Sequence, residues 1–203
     1  MQRRSSFTLH GIPKPLSFRT EPLDWELTEE RLTIVAGPRT DLFCSPEGAQ
    51  RSDNSPAALF VSNDRDFLLR ARVHVDHVAT FDAGVLQIRA DEERWAKLCF
   101  ELSPAGAPMV VSVVTRGTSD DCNSIVVNSS ALYLRIARRG DAFAFHWSVD
   151  GKRWDLVRHF TLGQVSELRV GFSAQSPTGE GCRCQFSEAR YDAARLADIR
   201  DGE

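Results

Sequence analysis

Apolar and polar residues alternate along most of this chain. In "DFLLRARVHVD", Phe67, Leu69, Ala71, Val73 and Val75 take one parity, and Leu68, Arg70, Arg72 and His74 take the other. "GVLQIRA" sets Leu86, Ile88 and Ala90 against Val85, Gln87 and Arg89. "RWAKLCFEL" sets Ala96, Leu98, Phe100 and Leu102 against Trp95, Lys97, Cys99 and Glu101. "ALYLRIA", "DAFAFHWSV", "ELRVGFSAQ" and "CRCQFSE" repeat the pattern. Successive side chains of a strand point to opposite faces, so each run predicts a strand with one face in a core and one outside. "MVVSVVT", Met109 to Thr115, is apolar on both parities and predicts a central strand covered on both sides.

The tail changes period. Ala194, Leu196, Ala197 and Ile199 are spaced as on a helix, with Asp192 as its N-cap, which predicts a short C-terminal helix over 193–199. Pro13, Pro15 and Pro22 predict an extended lead-in. No repeat, low-complexity stretch or linker interrupts the chain, so residues 1–203 read as one domain with its core over about 20–190. A dozen or more strands are too many for one open sheet, and the expected fold is an all-β, two-sheet antiparallel β-sandwich.

"SVDGKRW", Ser148 to Trp154, comes close to the sugar-enzyme repeat S-x-D-x-G-x-x-W but is one residue short between Asp and Gly. Asp150-Gly151 between two strand patterns instead predicts a type I′ hairpin turn. Trp154 then caps the hairpin on the sandwich edge.

The 203 residues are 42% hydrophobic and 26% charged, the balance of a globular protein. A net charge of −3 gives no global field for nucleic acid or an anionic membrane, and neither is expected as a partner. The start, "MQRRSSFTLHGIPKPL", lacks the apolar core of a signal peptide, and no run reaches the roughly 18 apolar residues of a membrane span. The five cysteines are odd in number and scattered, in a chain that needs no staples. A cytoplasmic protein is the expectation. Cys182 and Cys184 share one face of a strand and read as two small core residues.

The strings "FDAGVLQIRADEERWAKLCFE", "VVTRGTSDD", "RRGDAFAFHWSVDGKRW" and "SPTGEGCRCQF", with "TDLF" and "DFLLRARV" upstream, occur in an order and spacing that resembles the "regulation of enolase" family. The resemblance covers about residues 20 to 190. It implies a concanavalin A-like jelly roll and a regulatory interaction with a metabolic enzyme, and it implies no established chemistry. That fold hosts lectins, glycan-binding modules and glucanases, so fold does not assign function.

Catalytic patterns are sparse. No strand carries E-x-D-x-E, and "DEE" at Asp91 to Glu93 reads as a solvated hairpin loop. No G-x-S-x-G, H-E-x-x-H or Gly-rich phosphate loop is present. His74 and His77 are three apart and point to opposite faces of a strand, and "DDCNS" at Asp120 to Ser124 matches no calcium loop. Neither a cofactor nor a metal is expected. What remains is the polar parity, expected to gather on one face as a ligand-binding surface of Arg70, Arg72, Gln87, Arg89, Trp95, Lys97, Glu101, Tyr133 and His146. Five cations (Arg70, Arg72, Arg89, Lys97 and Arg135) against Glu101 favour an anionic or hydroxyl-rich ligand there. The rim segments Ser119–Asp121 and Ser176–Gly181 are the next candidates. The expected function is a non-catalytic binding or regulatory module acting on a metabolic enzyme. The alternative is binding of a carbohydrate or small polar ligand by the jelly-roll face.

Overall fold

The fold is a sandwich of two antiparallel sheets, seen in a computed structural model that describes residues 6–48, 50–165 and 167–203. The larger sheet runs β1 (Ser6–Phe7), β2 (Leu16–Thr20), β7 (Ala57–Ser62), β16 (Leu168–Gln175), β9 (Ala83–Arg89), β10 (Arg94–Leu102), β11 (Pro108–Arg116) and β12 (Thr118–Val126). The smaller runs β15 (Asp155–Thr161), β14 (Ala142–Ser148), β13 (Ala131–Arg139), β8 (Asp66–Asp76), β17 (Cys182–Asp192), β4 (Arg31–Ala36) and β3 (Asp24–Leu27). A separate two-stranded ribbon pairs β5 (Leu42–Cys44) with β6 (Arg51–Asp53). The two arginines at the start of the chain lie outside the described residues.

One parity of each strand fills the space between the sheets. Phe67, Leu69, Ala71 and Val73 of β8 lie in the same core as Leu86 and Ile88 of β9 and Leu98 and Phe100 of β10, all buried. Each of these side chains larger than Ala71 contributes about 1.5–3 kcal/mol by leaving water. Gly84 marks a close approach of the sheets, since a Cβ there would lie 2.6 Å from a Val73 methyl. β11 is buried on both parities from Val110 to Thr115, as its sequence predicts, although it stands next to the sheet edge rather than at the centre.

Three local expectations fail for physical reasons. The tail forms no helix, and no helix is found among the described residues. Seven residues are too few for a stable helix on propensity alone. Tertiary partners hold the tail in an irregular path instead. Leu196 and Ile199 pack on Ala137 and Ala144 outside the smaller sheet, His146 Nε2 donates to the Ile199 carbonyl at 2.8 Å, and Arg135 donates to the Gly202 carbonyl at 2.8 Å. The turn after β14 is a longer loop, not a type I′ turn, because Gly151 has φ of 71° while Asp150 is not at positive φ. The Asp150 carboxylate organises it by accepting from the Lys152 and Arg153 amides at 2.9 and 3.0 Å. Trp154 lies over the Arg135 guanidinium, 4.2 Å from ring centre to Cζ, rather than on the sandwich edge.

Candidate functional site

The outer parity of the larger sheet does not meet open water. β9 and β10 pair antiparallel, with Lys97 opposite Gln87 and Trp95 opposite Arg89, as the short "DEE" connection predicts. Across their outer face runs a small apolar floor of Ala83, Val85, Cys99 and Val111. The β5–β6 ribbon lies over one part, where Leu42 packs on Trp95 and Val113. Buried Arg89 pins it by donating to both oxygens of Asp53 at 3.1 and 2.6 Å, and Arg19 grips the same carboxylate at 2.9 and 2.8 Å. Glu92 joins them, 2.7 Å from Arg89.

Beside the ribbon a cavity of about 270 Å³ remains. Lys97, Glu101 and Gln175 form its buried polar wall, Asp41 and Asp121 stand at its sides, and Phe43 and Phe81 supply aromatic surface. Lys97 Nζ donates to Gln175 Oε1 at 2.8 Å and to Asp41 Oδ1 at 3.2 Å. Gln175 Nε2 donates to the Phe81 carbonyl at 3.2 Å and, more loosely, to Glu101 Oε2 at 3.5 Å. Those three partners fix which way the Gln175 amide faces. Phe81 holds φ of 71° at the mouth, a left-handed backbone that bulky residues rarely adopt. Such strain costs about 1–3 kcal/mol and gathers at functional sites. The Phe81 amide donates to the Leu102 carbonyl at 2.7 Å, which keeps it there.

The charges respond to burial. Burial pushes the Glu101 carboxyl up to about 8, a rise that Lys97 opposes and Asp121 and Asp41 reinforce. Burial also raises Asp121, with Lys97 again opposing. Desolvation, the largest single influence on Lys97, would lower it, but the Asp41 carboxylate together with Cys99 and Glu101 outweighs it, and the ammonium is held above its ordinary value. At neutral pH the cavity therefore presents a proton-bearing Glu101 beside an ion-paired Lys97.

The expected ligand face divides. Gln87, Arg89, Trp95, Lys97 and Glu101 lie outside the larger sheet and are buried, whereas Arg70, Arg72, Tyr133 and His146 lie outside the smaller one. Alternation tells which residues face outward from their own sheet, and two packed sheets have outer faces pointing in opposite directions. Of the nine, Lys97 and Glu101 reach the cavity. Arg72 is exposed, Tyr133 donates to Glu188, and His146 is sealed under the tail with burial lowering its pKa to about 4. The expected basic surface is likewise absent as a unit, since Arg89 is spent on Asp53 and Glu92.

Asp41, Phe43, Phe81 and Asp121 of the cavity escaped the strand pattern, and Gln175, the end of the run "ELRVGFSAQ", was not singled out as a site residue. Asp121 does fall in a named rim segment, as Pro177 and Thr178 do, but "DDCNS" belongs to edge strand β12 rather than to a loop. A signal for the cover existed. Val111 and Val113 are apolar on the outer parity of "MVVSVVT", which requires something to lie over them, and Leu42 and Phe43 in "TDLF" are an apolar pair outside any alternating run.

The family model described as "Protein of unknown function (DUF1349)" matches residues 18–194. No curated protein matches the sequence. A functionally unknown protein from Saccharomyces cerevisiae superposes with TM-score 0.83 at 23% identity, covering 89% of this chain and 97% of that one. The GH43 BlXynB protein from Bacillus licheniformis gives 0.71 at 16% identity over 88% of this chain but only 37% of its own. The alginate lyase from Klebsiella pneumoniae gives 0.55 at 14% identity over 85% and 84%. At these identities the likeness is one of fold, the two-sheet sandwich that the alternation predicts.

Proposed function

Because the chain belongs to the family of proteins of unknown function DUF1349, we propose its function from the cavity itself: it binds a small, hydroxyl-rich ligand about the size of one sugar ring. The observation that carries this reading is a cavity of about 270 Å³ whose wall sets buried Lys97, Glu101 and Gln175 beside the aromatic faces of Phe43 and Phe81. The volume holds about nine waters at roughly 30 Å³ each, room for a pyranose and little more. Convergent polar groups beside an apolar wall are the usual make-up of a small-molecule site. Sugars offer both hydroxyls for the one and C–H faces for the other. The saccharide-directed names among similar folds, a GH43 glycoside hydrolase and an alginate lyase, agree with this class.

Docking to a metabolic enzyme has its support in the family resemblance alone. Part of the larger sheet's outer face is covered by the ribbon, and part of the smaller sheet's is covered by the tail.

A thermal-shift and calorimetry screen of monosaccharides, polyols and phosphorylated metabolites tests the reading. A ligand at a hundred times its Kd stabilises the fold by about 2.7 kcal/mol. A sugar or polyol should raise the melting temperature, and Phe81→Ala should abolish that rise. Ligands that shift wild type and Phe81→Ala alike, or no shift with any sugar or polyol, would exclude this cavity.

A further inference from the structure

The charged groups around the cavity do not balance. Lys97 is the cation among its lining residues, and two of its donors are already committed to Asp41 and Gln175. Glu101 is 7% exposed, has no ion-pair partner among the described residues, and its one hydrogen bond is the 3.5 Å contact from Gln175. Asp121, exposed at the mouth, is also without an ion pair there, and the nearby Arg158 pairs with Asp120 at 2.9 Å. A buried carboxyl short of donors is costly unless a partner arrives.

We propose that the ligand carries a protonated amine, which pairs with the Glu101 and Asp121 carboxyls. This rests on the ligand-binding reading and specifies the charge of the ligand. An anionic sugar would meet the Asp41 and Asp121 carboxylates, with Lys97 mostly spent. A neutral sugar would leave Asp121 unpaired. An ammonium supplies the missing positive charge and three donors, while the ring keeps its place against Phe81 and Phe43.

The pairing has a proton consequence. The groups facing Glu101 are Lys97 and Cys99 on its own strand, Asp121 from β12, Asp41 ahead of β5, and the neutral Gln175 from β16. In the empty site Glu101 keeps its proton up to about pH 8. An ammonium beside it favours the carboxylate, so binding below that pH releases a proton to solvent.

The test is calorimetry of the full chain with glucose, glucosamine and glucuronate at about pH 6.5, where an amine of this kind is still protonated. Each titration is run in two buffers of different ionisation enthalpy. Glucosamine should bind about tenfold or more tightly than glucose, the scale of a hydrogen bond between charged groups. Glucuronate should bind weakest. Only glucosamine should show a buffer-dependent enthalpy corresponding to proton release, and Glu101→Gln should remove both that release and the preference. Asp121→Asn, at the exposed mouth, should lower the preference while the release persists. Equal binding of glucose and glucosamine, or a preference for glucuronate, would overturn the amine and leave the sugar reading standing. No binding by any of the three would overturn both.

Discussion

Lys97 lies on a parity that the sequence presents as wet, yet it is 3% exposed and paired across the cavity. Removing one partner of a buried pair costs about 3–5 kcal/mol. Lys97→Met should cost about 3 kcal/mol, the low end of that range, because Asp41 keeps the Leu42 amide at 2.7 Å; urea unfolding measures it. Gly151→Val should lose about 1–3 kcal/mol, the cost of placing a β-branched residue at positive φ. The backbone there has φ of 71°, and an added Cβ would lie 3.0 Å from the Tyr133 ring. Unchanged melting would contradict the loop geometry. Glu101 and His146 set the pH dependence. Glu101 is raised from 4.5 to about 8, so its contribution is complete below 4.5 and is lost as pH rises through 8. His146 is lowered from 6.5 to about 4, so its contribution is complete above 6.5 and is lost as pH falls toward 4. The two oppose each other in mildly acid solution. Between pH 6.5 and 8 Glu101 acts alone of the pair, and the melting temperature should fall with pH there in wild type but stay nearly flat in Glu101→Gln.

The tail is the element to cut. Deleting 194–203 removes Leu196 and Ile199 and uncovers Ala137, Ala144, Arg135 and His146. With about 1.5–3 kcal/mol for each buried aliphatic side chain, the loss should be a few kcal/mol. His146, no longer desolvated, should titrate nearer its ordinary value by NMR. A deletion that leaves His146 as acidic as before would show that the tail does not bury it. The tail also shows where sequence reading ends. Of the spaced residues Ala194, Leu196, Ala197 and Ile199, Leu196 and Ile199 are buried and the two alanines are exposed, and period alone could not distinguish a helix from an irregular strap held by carbonyls. For the strands the alternation was sufficient, because burial on one side and exposure on the other leaves a period of two whatever the partner. It could not say what covers an outward face. Lys97 and Glu101 therefore read as solvent-facing, and Asp41 and Gln175, 56 and 78 residues away from Lys97, left no local sign that they would close over it.

In the whole molecule, β16 lies between β7 and β9, and β17 lies between β8 and β4. The last two strands in the chain thus enter the interior of both sheets. Until residues 168–192 arrive, β7, β8, β9 and β4 each show an unpaired backbone edge, the kind of surface on which chains associate. Pairings this distant in sequence also fold slowly, on the millisecond-to-second scale of other sandwiches. Chains stalled before residue 168 should therefore aggregate, while the complete chain, released by fast dilution from urea, should refold as a single slow phase. Gln175 is delivered by that same late insertion, so the cavity and the finished sheet arise in one step. A ligand of this cavity would recognise only completed molecules, and its binding would serve as a report on synthesis and folding as well as on chemistry.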